Sequence, residues 1–107
     1  MKRETDILQE CRLAASSCGA VVFRNNTGKL QDARGRWVDF GLCVGSSDLI
    51  GWYHGRFLAI EVKRPGKSAT RHQENFIDAV NNAGGIAFVA TCAADVKKHL
   101  TAYEFNV

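Results

Sequence analysis

Gly45-Ser46-Ser47-Asp48-Leu49-Ile50-Gly51-Trp52-Tyr53-His54-Gly55-Arg56-Phe57-Leu58-Ala59-Ile60-Glu61-Val62-Lys63 is the stretch from which the rest of the chain is read. Two apolar runs, Leu49–Tyr53 and Phe57–Val62, flank His54-Gly55, a pair suited to a two-residue turn, so the segment reads as a β-hairpin. A register centred on that turn pairs Tyr53 with Arg56, Trp52 with Phe57, Ile50 with Ala59 and Asp48 with Glu61. Directly opposed residues on one face have Cβ atoms about 4.5–5.5 Å apart. Two carboxylates then face each other at the open end of an apolar hairpin. Lys63, two residues past Glu61, projects from the same face.

Opposed like charges destabilise a sheet, and half-buried carboxylates cost more still unless something neutralises them. A divalent cation does so. Mg²⁺ takes oxygen ligands and is held by one or two carboxylates while keeping several waters. It can polarise a phosphoryl oxygen and acidify water, and Lys63 is placed to orient that water or to stabilise charge growing on a phosphate. The hairpin therefore reads as a metal-dependent hydrolytic site. The plainer alternative makes Asp48 a strand-opening residue and Glu61 and Lys63 a solvated polar end. The apolar Phe57-Leu58-Ala59-Ile60 run before Glu61 and the opposed register favour the site.

At 107 residues and 46% hydrophobic, the chain is expected to form one domain, residues 1–107, with a real core. The net charge of +3 suits a polyanionic partner without specifying one. Cys11, Cys18, Cys43 and Cys92 show no zinc spacing and read as buried, reduced thiols of a cytoplasmic protein. Neither a signal peptide nor a membrane span is legible.

Outside the hairpin, residues 3–17 read as a helix, with Ile7, Leu8, Cys11, Ala14, Ala15 and Cys18 as its apolar stripe and Gly19 as its stop. Glu4 lies at the start of that stripe, either as a first-turn acid favoured by the helix dipole or as part of the site; Glu10 is the competing acid. Ala20–Arg24 is a short strand. The run from Asn25 to Gly35 reads as a polar loop, with Arg24, Lys29, Arg34, Arg36 and Trp37 suited to phosphate contacts and base stacking or to an ordinary exposed loop. Arg36–Phe40 reads as a further short strand. After Pro65 a second helix begins at Ser68 or Thr70, where Thr70-x-x-Gln73 fits a capping box. Gln73 is either that capping residue or a contact to the metal water or a phosphate. Arg71 adds a donor, and His72 reads as a surface residue. Ile86–Ala90 is fully apolar, which predicts a central strand, and Ala93 to Tyr103 a last helix. The order is that of a mixed α/β layer fold.

The ordered set of Asp48, Glu61-Val62-Lys63 and an α-β-β-β-α-β succession resembles the PD-(D/E)XK nuclease superfamily. Arg24-Asn25-Asn26-x-Gly28, Gly45-x-x-Asp48-Leu49, Glu61-Val62-Lys63, Gln73 and Phe76 resemble more narrowly the VRR-NUC family, the virus-type replication-repair nucleases. The resemblance runs from about Glu4 to Val96. It implies a nuclease-like αβββαβ core plus a C-terminal helix, with a mixed central sheet flanked by helices. It implies Mg²⁺ or Mn²⁺ on Asp48, Glu61 and the Val62 carbonyl, with Lys63 assisting the attacking water. Glu4 matches the helix-1 acid, and Gln73 the glutamine that follows the core motif. Ser47 stands where the strict motif has proline. The activity implied is hydrolysis of DNA phosphodiester bonds by a structure-selective endonuclease, similar to a Holliday-junction resolvase and acting as a homodimer. Such enzymes are intracellular; a phage-encoded one acts in its bacterial host. DNA contacts are expected from Arg24, Asn26, Lys29, Arg34, Arg36, Arg64, Lys67 and Arg71. The alternatives are a non-catalytic DNA-binding module on the same fold, or a nuclease acting on ordinary duplex or flap DNA.

Overall fold

The hairpin forms in the register its turn dictates. In the computed structural model, which describes residues 2–104, β4 (Leu49–Tyr53) pairs antiparallel with β5 (Arg56–Val62), Tyr53 opposite Arg56 and Leu49 opposite Ile60. His54 and Gly55 both take positive φ, 50° and 76°. That is the backbone of a type I′ turn, whose twist matches that of the flanking strands. Upstream, α1 (Glu4–Ser17) precedes β1 (Val21–Arg24); downstream come α2 (Arg71–Asn82), β6 (Ile86–Ala90) and α3 (Ala93–Glu104).

One sheet runs β1-β4-β5-β6, with β5 and β6 parallel and the other pairs antiparallel. This is the mixed, helix-flanked sheet of a nuclease-like core. Strand alternation sends Leu58, Ile60 and Val62 to one face, where they pack with Ile7, Leu8 and Cys11 of α1, Val96 and Leu100 of α3, and Leu49, Tyr53 and Phe88. The other face carries Phe57, Ala59 and Glu61. There α2 lies against β5 and β6, with Phe76, Ile77 and Val80 half-buried. The site thus sits at one end of the face that α2 only partly covers. Gly51 is required where β4 passes β1, because a Cβ there would lie 1.7 Å from the Val21 carbonyl oxygen.

Three sequence expectations need correction. Residues 25–35 are not all loop: β2 (Gly28–Gln31) pairs with β3 (Trp37–Phe40) in a separate two-stranded arm, which includes the short strand expected near Arg36–Phe40. The arm's turn is held by Asp32, whose Oδ1 accepts the N–H groups of Arg34 and Arg36 at 2.8 and 2.9 Å, and Gly35 supplies a φ of 79°. Second, β6 is an edge strand, not a central one. Its apolar sequence reflects cover by α2 on one face and α3 on the other, and its outer edge is closed by Asn81, which exchanges hydrogen bonds of 2.9 and 2.8 Å with the backbone of Ala87. Third, the cysteines are free, but only Cys11 is buried; Cys18 and Cys92 are half-buried and Cys43 is exposed.

Candidate active site

Asp48 lies one residue before the β4–β5 ladder, and the register carries it opposite Glu61. Its Oδ2 accepts the Val62 N–H at 2.8 Å. The N–H and C=O of one strand residue point to the same side. Since the next amide, Lys63 N–H, turns the other way to Ala90 O at 3.0 Å, the Val62 carbonyl points to Asp48's side of the strand. Both carboxylates and one main-chain carbonyl therefore meet at the end of the hairpin.

Glu61 is the unusual group. It is 2% exposed, and its Oε1 has no hydrogen-bond partner. Burial, then the hydrogen bond it shares with Asp48 and the charge of Asp48, push its carboxyl well above the usual carboxylate range; Lys63 pulls the other way and Glu4 adds to the rise. Glu61 therefore holds its proton well past the usual range unless something neutralises the charge around it. A buried acceptor lacking a donor, beside a second carboxylate, fits a hard divalent cation. Among the described residues no group of three or more His, Cys, Asp or Glu side chains is placed to hold a metal. The donor set is two carboxylates and a carbonyl, which suits an ion that keeps several waters.

Glu4 opens α1 and lines a cleft of about 200 Å³ with Asp48, Arg24, Asn25, Asn26 and Thr27. Glu10 does not reach that cleft and is paired with Lys2 at 2.7 Å. Lys63 is half-buried and follows Glu61 and Val62 at the end of β5. Gln73 forms the capping box of α2: its Oε1 accepts the Thr70 N–H at 2.8 Å, and its own N–H reaches Thr70 Oγ1 at 3.3 Å. Its carbonyl oxygen is engaged there, which leaves the amide N–H₂ as the group it can offer outward.

The candidate DNA contacts divide by position. Arg24 and Asn26 lie in the cleft with Glu4 and Asp48, which Glu61, Lys63 and Gln73 do not line. Arg64, Lys67 and Arg71 mark the connection from β5 to α2, with Lys67 N–H closing a turn on Arg64 O at 3.0 Å. Lys29, Arg34 and Arg36 belong to the arm, whose strands pack chiefly on each other. There Lys29 faces Asp39 at 3.4 Å and Arg36 Nε meets Asp32 at 2.9 Å. His72 is exposed, as read, while its backbone lies where a Cβ on Gly45 would come within 2.5 Å.

Asn25 was absent from the candidate residues, yet it ties the approach to Asp48 together. Its Nδ2 donates to Ser46 Oγ at 2.7 Å and to Ser47 O at 2.9 Å, and its backbone N–H donates to Asp48 O at 2.7 Å. The one sequence signal was its place in Arg24-Asn25-Asn26-x-Gly28.

No curated protein matches the chain. The VRR-NUC domain profile, by contrast, matches residues 4–94, from the first residue of α1 into α3. That span includes both carboxylates, Lys63 and the whole four-stranded sheet, and on it the chain belongs to the VRR-NUC family, a nuclease-type family.

Proposed function

We propose that the protein is a Mg²⁺- or Mn²⁺-dependent endonuclease that hydrolyses phosphodiester bonds in DNA. The single observation that carries this is the buried, unpartnered Glu61 Oε1 beside the Asp48 carboxylate, in a chain of a nuclease-type family. Asp48, Glu61 and the Val62 carbonyl are the groups that would hold the ion. When bound, the ion supplies Lewis-acid polarisation of the phosphate and acidifies nearby water.

The chain's own residues do the rest. The Val62 N–H fixes the Asp48 carboxylate in place before any ligand arrives. Lys63, on the same face as Glu61, orients the attacking water and steadies charge growing on the phosphate. Glu4, in the cleft with Asp48, accepts a hydrogen bond from water there, and the Gln73 amide N–H₂ donates from the start of α2. Arg24 and Asn26 hold the flanking phosphates. Arg64, Lys67 and Arg71 continue the track along the β5–α2 connection, and Lys29, Arg34 and Arg36 extend it along the arm.

The substrate is a branched DNA such as a four-way junction, cut by a homodimer in the manner of a resolvase and inside the cell, as for a phage-encoded enzyme in its host. Trp52 and Phe57 leave apolar surface open on the sheet at 51% and 43% exposure, which supports a second copy. The test is cleavage of a labelled panel (four-way junction, splayed arm, linear duplex, single strand) with Mg²⁺, Mn²⁺ or chelator, with Lys63→Ala as control. Metal-dependent cutting of the junction, lost in the variant, is the expected result. Cutting of every duplex would keep the chemistry and remove the junction preference. Salt-sensitive binding with no cutting would replace the enzyme by a DNA-binding module.

A further inference from the structure

Asp48 stands beyond the end of its own strand ladder, preceded by residues 41–47, which form neither helix nor strand. Its carboxylate is held by the Val62 N–H, and its backbone by β1, whose register continues from Arg24 opposite Leu49 to Asn25 opposite Asp48. Its carbonyl accepts the Asn25 N–H at 2.7 Å. The Asn25 side chain then grips the residues just before it: both Nδ2 protons are used, on Ser46 Oγ at 2.7 Å and Ser47 O at 2.9 Å, and Oδ1 takes the Leu42 N–H at 3.4 Å. Ser46 Oγ in turn donates to Cys43 O at 2.7 Å. The Ser47 hydroxyl is fully buried and has no partner, so it does not help to secure this turn.

We propose that Asn25 is a positioning residue of the site: its side chain holds the turn that leads into Asp48 and so tunes, together with the Val62 N–H, the angle at which the Asp48 carboxylate meets Glu61 and an ion. This rests on the metal-dependent reading above. Asn25 lines the cleft, but its N–H₂ has no proton left for a substrate, so its action runs through Asp48. Only a short side chain carrying both a carbonyl and an amide satisfies all three loop partners. Partners of this kind, which hold a ligand in place from behind, typically set metal affinity by about 10- to 100-fold.

The decisive experiment is Mn²⁺ titration by calorimetry and by electron paramagnetic resonance on wild type, Asn25→Ala, Asp48→Asn and the double variant, with thermal melts alongside. Asn25→Ala is expected to weaken Mn²⁺ binding by about tenfold or more, and to add nothing further once Asp48 is already Asn. A merely structural residue would lower Tm and the number of competent sites while leaving Kd unchanged, and that outcome overturns the proposal. If Asn25→Ala does not fold, Ser46→Ala decides: it removes one Nδ2 acceptor, and an unaltered Kd overturns the proposal equally. A wild type that binds no Mn²⁺ overturns the metal-dependent reading itself, a result distinguishable from the failure of Asn25 alone.

Discussion

Asp48 Oδ2 accepts the backbone N–H of Val62, on the neighbouring strand, at 2.8 Å. The bond joins the two halves of the hairpin at the point where the regular ladder has ended. It also means that one carboxylate of the site is oriented by the fold itself, while the other, Glu61, is buried with an oxygen unmatched. Orientation of the first and under-coordination of the second are what a preorganised ion site requires.

Because Asn keeps a carbonyl oxygen for the Val62 N–H, Asp48→Asn retains the hairpin and removes only the charge. Glu61→Gln is likewise isosteric in its buried setting, and Lys63→Ala trims a half-buried residue. Each is expected to lower cleavage by about 10²- to 10⁴-fold with the circular dichroism spectrum unchanged. Wild-type cleavage retained in all three would eliminate this end of the sheet as the site.

The two acids of α1 separate cleanly. Glu4 shares the cleft with Asp48, whereas Glu10 is held by Lys2. Glu4→Gln is therefore expected to reduce the cleavage rate by about tenfold or more, less than the roughly 10²- to 10⁴-fold of a group that transfers the proton itself, because Glu4 only holds water in the cleft. Glu10→Gln removes one exposed ion pair and should leave both the rate and Tm nearly unchanged. The reverse ranking of rates would move the assignment to Glu10.

Glu61 also makes a pH prediction for the metal-free protein. Its folded-state pKa is raised from 4.5 to about 9, first by burial and then by Asp48. Below its unfolded value the group is protonated in both states and costs nothing. As pH climbs from 4.5 towards 9, the unfolded chain releases this proton while the folded one keeps it, so stability falls. In chelator, Tm should drop across that window; Glu61→Gln should flatten the drop, and Mn²⁺ should restore Tm for wild type only. A Tm independent of pH in chelator for wild type and variant alike would contradict the buried pair.

The hairpin and its paired acids were legible because every cue agreed: a two-residue turn, apolar runs of matched length and strand alternation that puts residues 48, 61 and 63 on one face. The arm was not, since Lys29, Gln31, Asp32 and Arg34 have the composition of a loop, and its turn is closed by side-chain bonds from Asp32 that no periodicity reveals. The Ile86–Ala90 strand showed its burial but not its place, because helices on both faces make the run apolar whether or not a further strand pairs along its outer edge. Asn25 was hidden for a different reason: its partners lie up to 22 residues away, a contact that only the folded chain brings about.

The arm supports a last prediction about charge. It carries three cations and two acids, but Lys29 and Arg36 already face Asp39 and Asp32. Among the described residues Arg34 makes no ion pair, and it sits at the exposed turn. Replacing a cation that contacts a phosphate lowers the slope of log K against log salt by about one, whereas replacing one that is already neutralised releases fewer counterions. Arg34→Ala should therefore reduce the salt slope of DNA binding more than Lys29→Ala or Arg36→Ala. All three should leave Tm nearly unchanged, because exposed pairs contribute about 0–1 kcal/mol. Binding isotherms from 50 to 200 mM salt give the slopes. A larger loss for Lys29→Ala would mean that the Lys29–Asp39 pair opens on DNA and that the arm's strands, not its turn, lie along the backbone.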